Sequence, residues 1–184
     1  MTSPGTVGGD GRIRLFLALE IPDGVASELG RWARAELTGG RVLESFHVTL
    51  AFLGGRPRSV LEEILGVLRR EAATTEPFAL EPVRYRETRS VGMLVLADPS
   101  GCATSLAERV QHGLEALGLY EPEKRRWLPH VTVLRFRERP RLAPPLPDLG
   151  AFAPSGAAAF LSRLHPSGAR YEVLESCSFG VTEV

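Results

Sequence analysis

At 184 residues the chain can form one domain, or two small lobes packed together, around a core of useful size. Its apolar share of 43%, charged share of 24% and formal net charge of +0 are those of an ordinary water-soluble globule, and they exclude a protein that attracts nucleic acid through overall charge. Two cysteines, Cys102 and Cys177, are too few for a disulfide framework, and no apolar run reaches the ~20 residues of a membrane-spanning helix, so a reducing, cytoplasmic setting away from membranes is expected.

The first eleven residues, MTSPGTVGGDG, have neither a basic stretch nor an apolar one and read as a disordered tail. RIRLFLALEI is apolar, is bounded by Gly and Pro, and reads as a strand. Pro22 suits the first turn of a helix that carries Val25, Leu29, Trp32 and Ala33 on one face and stops near Gly39. FHVTLAFLG is the next strand. Ser59, with Glu62 three residues on, has the form of a capping box opening a helix to about Ala72, with Val60, Ile64, Val67 and Leu68 as its inner stripe. FALEPVRYRET and VGMLVLAD form a pair of strands. Leu106, Val110, Leu114 and Leu117 mark a third helix that closes at Gly118. PHVTVLRF is again a strand, RPRLAPPLPDLGAFAPSG is a proline-rich loop, and AAAFLSRLH and ARYEVLESCSFGVTEV are strands.

Strand, helix and HVT strand therefore occur twice, the second time as GMLVLA, a helix and PHVTVLRF. Strands and helices without strict alternation point to an α+β fold, with two similar lobes facing each other across a groove. Charge is uneven as well. Lys124 is the only lysine, and from there to Arg141 seven basic residues stand against one acid, Glu138. This segment brackets the second HVT, so its arginines, Arg126, Arg137 and Arg139 among them, are expected at one end of the groove.

Side chains alternate across a strand, so residues two apart share a face. In the first motif His47 and Thr49 oppose Phe46, Val48, Leu50 and Phe52. In the second His130 and Thr132 oppose Val131 and Val133. Each strand turns apolar residues toward a core and offers a histidine and a threonine on a face that must be wet or line a cleft, because unpaired polar groups are costly to bury. One HVT segment is an ordinary piece of strand; two, with similar units before them, call for a shared purpose. Two facing imidazoles supply a general acid and a general base near neutral pH, each role contributing roughly 10²- to 10⁴-fold. Threonine hydroxyls between them can bond the oxygens of a phosphoryl centre. Acid, base and two hydroxyls suit a strained phosphodiester, and the residues alone leave open which histidine takes which role. Neither motif has a carboxylate or third ligand at metal-site spacing, so no metal and no cofactor are expected.

The paired HxTx motifs resemble those of the 2H phosphoesterase superfamily, and most of all its RNA 2′,3′-cyclic phosphodiesterases, also called 2′-5′ RNA ligases or LigT-type proteins. RLFLALEIP resembles the family's opening strand, HVTLAFLG and PHVTVLR its two motifs, and LSRLHPSGARYEVL its closing segment. The resemblance implies a two-lobed fold of antiparallel sheets flanking a central groove, formed as one domain over residues 12–184 from two intertwined lobes. It implies a monomeric hydrolase acting on RNA ends or nucleotides bearing a 2′,3′-cyclic phosphate. It further implies that His47 protonates the departing 3′ oxygen, that His130 activates water, that Thr49 and Thr132 hold the non-bridging oxygens, and that the product carries a 2′-phosphate. Joining RNA ends through a 2′-5′ bond, opening another small cyclic phosphate and binding nucleotides without catalysis are the alternatives. Arg135 matches the family's arginine, but strand parity points it away from His130 unless a twist, a bulge or the strand's end brings it round. Leu134 stands where the family tends to have a small residue. His112, off the apolar stripe of its helix, is expected at the surface, and His165, before Pro166 in a turn, is expected in a loop.

Overall fold

Local sequence makes the elements, and long-range pairing sorts them into two sheets. The computed structural model describes residues 11–180; the tail expected from the sequence lies, Gly11 apart, outside the described residues. Strand β1 spans Arg12–Glu20 and helix α1 Asp23–Glu36. The two-residue strand β2 is Arg41–Val42, and β3 is His47–Pro57. Helix α2 covers Leu61–Ala73, followed by β4 at Glu81–Glu87 and β5 at Val91–Ala97. Helix α3 is Cys102–Ala116, β6 His130–Arg135, β7 Gly156–His165 and β8 Gly168–Cys177. The proline-rich segment is irregular apart from one bridge, Phe152 to Leu80.

One four-stranded sheet has the order β3-β1-β7-β8 and the other β2-β6-β5-β4, with every pairing antiparallel. The expected α+β architecture of two antiparallel sheets is thus observed. The repeated unit is visible in it: β1 with β3 in one sheet corresponds to β5 with β6 in the other. The sheets also exchange strands. β2, from the first half of the chain, edges the second sheet, while β7 and β8 complete the first. Leu15, Leu17 and Leu19 of β1, Leu94 of β5 and Ile64, Leu68, Leu106 and Leu114 of the helices are essentially inaccessible, each such side chain contributing roughly 1.5–3 kcal/mol.

Several local expectations are corrected. Ser59 does not cap α2. A 3₁₀ turn over Arg58–Val60, led in by Pro57, precedes the helix, whose N-cap position is Val60 with no side-chain bond. Glu62 is drawn instead to Arg69, 2.5 Å away. Leu117 lies beyond the last turn of α3 and is exposed, because Gly118 at φ +70° turns the chain away. β8 stops at Cys177; Phe179 then packs on Phe78 with ring centroids 5.1 Å apart, and the Gly180 N–H donates to the Thr75 carbonyl.

Candidate active site

The two HVT strands depart from simple alternation at equivalent places. In the β1–β3 ladder Ala18 faces Thr49 and Leu17 faces Ala51, leaving Leu50 as an extra residue; in the β5–β6 ladder Met93 faces Thr132 and Gly92 faces Leu134, leaving Val133 extra. A bulge of this kind shifts the parity of everything beyond it. His47 and Thr49 stay on the face predicted, as do His130 and Thr132. Beyond the bulges the faces invert. Phe52, expected in the core, is 51% exposed, and Arg135, expected to point away, turns toward the threonine face. The carbonyl freed at each bulge has a donor: Gln111 Nε2 bonds Leu50 O at 2.8 Å, and the Leu43 N–H bonds Val133 O at 3.0 Å.

Between the strands lies a groove of about 910 Å³ to which His47, Thr49, Thr132, Arg135 and Phe52 all contribute. His130 is half-buried on the Thr132 face of β6, just outside the groove lining, and close enough that its charge acts on His47. The ring atom His130 Nδ1 lies 2.7 Å from the Leu128 carbonyl. A carbonyl only accepts, so Nδ1 carries a proton, and in the neutral ring Nε2 holds the lone pair. The loop that leads into β6 is tied across to β3 by Trp127, whose Nε1–H donates to Thr49 O at 3.0 Å.

His47 sits differently. Its ring lies 4.7 Å from Phe16, 5.9 Å from Phe160 and edge-on to Tyr171 at 5.4 Å, with Phe16 and Phe160 themselves stacked at 5.1 Å. Its Nδ1 is buried and, among the described residues, has no hydrogen-bond partner. Burial first, then the charges of His130 and Arg135, push this imidazole down to about 4. A buried N–H without an acceptor is rarer than a buried lone pair, so the neutral ring carries its proton on Nε2, the edge left for the groove.

Four arginines line the groove, Arg14, Arg41, Arg135 and Arg170, against one carboxylate, Glu44. Among the described residues none of the four arginines is in an ion pair. Arg14 lies over the Phe52 ring, 4.9 Å from its centroid. The cationic segment around the second motif contributes less than its charge led us to expect: of Arg126, Arg135, Arg137 and Arg139, only Arg135 lines the groove. Arg139 is held 3.1 Å from Glu87. Burial pushes that carboxyl up, but the Leu142 N–H, Arg139, the Arg141 N–H and Tyr85 together hold it below the usual carboxylate range. His112 is exposed, as expected; His165, expected in a loop, is exposed but is the last residue of β7, because the strand runs up to the turn at Pro166. No three His, Cys, Asp or Glu side chains among the described residues gather into a metal-binding group, and none of the described helices is long and apolar enough to cross a membrane.

A family model described as the 2′-5′ RNA ligase superfamily matches residues 21–163. The chain belongs to that superfamily. The resemblance read from the paired motifs therefore holds. Two curated relatives of this 2′-5′ RNA ligase superfamily member are named RNA 2′,3′-cyclic phosphodiesterase. The one from Methanocaldococcus jannaschii is 21% identical and is matched over 89% of this chain and 99% of its own length. That from Bacillus subtilis is 27% identical over 68% of this chain and 73% of the relative. Among solved structures, TT0787 of Thermus thermophilus is 29% identical, with 91% of this chain and 98% of that chain covered at a TM-score of 0.77. Apo LigT of E. coli superposes with a TM-score of 0.80 over 93% of this chain and 99% of its own at 21% identity. LigT has also been crystallised with 3′-AMP.

Arg14, Phe52 and the aromatic surround of His47 escaped the strand-by-strand reading. The signal for part of it was the closing segment: Ser162, Leu164, Gly168 and Tyr171, the residues that carry its likeness to the superfamily, all line the groove.

Proposed function

We propose that this superfamily member hydrolyses 2′,3′-cyclic phosphodiesters at RNA ends, leaving a 2′-phosphate, with His47 as acid and His130 as base. The observation that carries this reading is that two equivalent strands set His47, Thr49 and Thr132 on one groove, with His130 beside it on the Thr132 face and electrostatically coupled to His47. The names of the relatives supply the substrate class.

Chemically, the cyclic phosphate lies between the strands. His130 Nε2, free because Leu128 holds the other nitrogen, takes a proton from water as the water oxygen bonds to phosphorus. The P–O3′ bond breaks, and the departing oxygen takes its proton from Nε2 of a charged His47. The threonine hydroxyls of Thr49 and Thr132 donate to the non-bridging oxygens, with Arg135 as counter-charge. His130 leaves the cycle charged and His47 neutral, and exchange with solvent restores both. An imidazolium at His47 is disfavoured in the free protein. The anionic phosphodiester offsets that, so the acid is armed by the substrate it serves and, once charged, gives up its proton readily. Phe52 under Arg14 presents a flat surface on which a nucleobase stacks.

The deciding experiment is incubation of the pure protein, with chelator, with an oligoribonucleotide ending in a 2′,3′-cyclic phosphate. Conversion to the 2′-phosphate end is expected. A 3′-phosphate product would reverse the assignment of leaving group, and an unchanged substrate would remove the reading altogether.

A further inference from the structure

The arginines of the groove are spread over both sheets. Arg14 lies near Phe52 and Arg135 is beside the threonines. Arg41 lies elsewhere, where the β7–β8 hairpin tip reaches the edge of the opposite sheet, and Arg170 follows on β8 two residues after Gly168. β8 fixes the separation: Tyr171 is against His47, and Gly168 is three residues further along the same strand. At ~3.3 Å per residue the hairpin tip is roughly 10 Å beyond the acid. There the guanidinium of Arg41, from β2, lies so close to Gly168 that a Cβ added at Gly168 would sit 2.8 Å from Arg41 Nη1. Gly168 has φ +120°, which a side chain would also oppose. Ser167 lines the same end. Two exposed arginines from two sheets are thus brought to one end of the groove, with no ion pair for either among the described residues. A single cyclic phosphate held by the histidines and threonines cannot also reach Arg41 at that tip, and Arg170 stands between the two, one residue from Tyr171 on β8.

We infer that this end of the groove is a second anion subsite, built by Arg41 and Arg170 with Ser167, that takes a backbone phosphate upstream of the reacting end. The inference rests on the proposed function for the identity of the reacting end and assigns the substrate class within it: an RNA oligomer in preference to a cyclic mononucleotide. Edge strand β2 gains a purpose by the same argument. It carries Arg41 across from the first half of the chain to meet a hairpin of the first sheet.

The test uses the full protein, the double variant Arg41→Gln with Arg170→Gln, and Arg41→Lys, which keeps the charge. Two measurements separate this inference from the reading beneath it. The first is direct binding of a fluorescent oligoribonucleotide that already ends in a 2′-phosphate, and of the matching nucleoside 2′-phosphate, over a range of salt. This needs no turnover. The oligomer is expected to bind the unaltered protein at least tenfold more tightly than the mononucleotide. The double variant should lose that margin, with a salt slope shallower by about 0.7 for each phosphate contact given up, and Arg41→Lys should recover part of it. The second is turnover, in which KM for the cyclic oligomer should rise about tenfold in the double variant while cyclic mononucleotide kinetics stay within about twofold. Equal binding of oligomer and mononucleotide by the unaltered protein, or equal losses for both in the double variant, overturns the second subsite. Oligomer binding that depends on Arg41 and Arg170 without any turnover supports the subsite and overturns the proposed reaction instead.

Discussion

Acidification places a charge on His47 among Phe16, Phe160 and Tyr171, and the free-energy cost follows from the fall of its imidazole from 6.5 to about 4. At ~1.4 kcal/mol per tenfold change in proton affinity, the folded protein resists that proton by about 3 kcal/mol relative to the unfolded chain. The unfolded chain takes it up first, so the stability difference is fully retained above 6.5, drains away between 6.5 and 4, and levels off below. Roughly 2 kcal/mol should be gone by pH 5 and about 3 by pH 4. His47→Phe keeps an aromatic side chain on the Phe16 face and cannot titrate. Urea unfolding at pH 7.5 and pH 5 should therefore show the unaltered protein losing about 2 kcal/mol more than the variant across that interval. NMR titration of the imidazoles should place the His47 midpoint near 4 in the free protein and higher when a nucleoside 2′-phosphate occupies the groove. A midpoint near 6.5 without ligand, or parallel stability losses in the two proteins, would refute the burial argument and with it the substrate-armed acid.

His47→Ala and His130→Ala should each remove most turnover without loss of fold, their effects should fall well short of adding if the proposed pair acts as a unit, and His112→Ala should match the unaltered protein in the same assay. Phe52→Ala should weaken nucleotide binding by ~1–3 kcal/mol, seen as a raised Kd, yet move the urea midpoint little, since half of Phe52 is already in water; unchanged affinity would remove Phe52 from the substrate surface. Gln111→Ala strips the donor from the Leu50 carbonyl at the first bulge and should cost ~1–3 kcal/mol of stability; a loss below about 0.5 would mean that the bulge needs no such support.

His47 with Thr49, and His130 with Thr132, could be placed on one face from parity alone, because the two residues of each pair precede any irregularity in their strands. Phe52 and Arg135 could not. A bulge is decided by how two strands settle against each other, and the residues at Leu50 and Val133 carry no local mark of it. Strand β2 went unseen because two residues show no period; only Arg135 and Leu134 across the ladder make Arg41 and Val42 strand residues. The Ser59 capping box failed for a local reason: Pro57 leads into a 3₁₀ turn that uses Ser59 before the helix starts. The proline-rich loop was legible as irregular, but its anchoring on Glu87, which holds Arg139 away from the groove, depends on a carboxylate more than fifty residues earlier.

The exchange of strands between the sheets also sets a timetable. As the chain emerges from the ribosome, β1 can pair with β3 at once, but its other edge waits for β7, whose Leu161 meets Leu15 only after both HVT strands have been made. Until then a strand reading LFLAL offers an open, apolar edge, the kind of surface on which nascent chains stick to one another. For the same interval His47 lacks Phe160 and Tyr171. The aromatic surround of His47 is therefore completed in one late step, when β7 and β8 dock and seal the sheet. A mutation that slows that docking will lower the yield of soluble protein and the fraction of active sites in parallel.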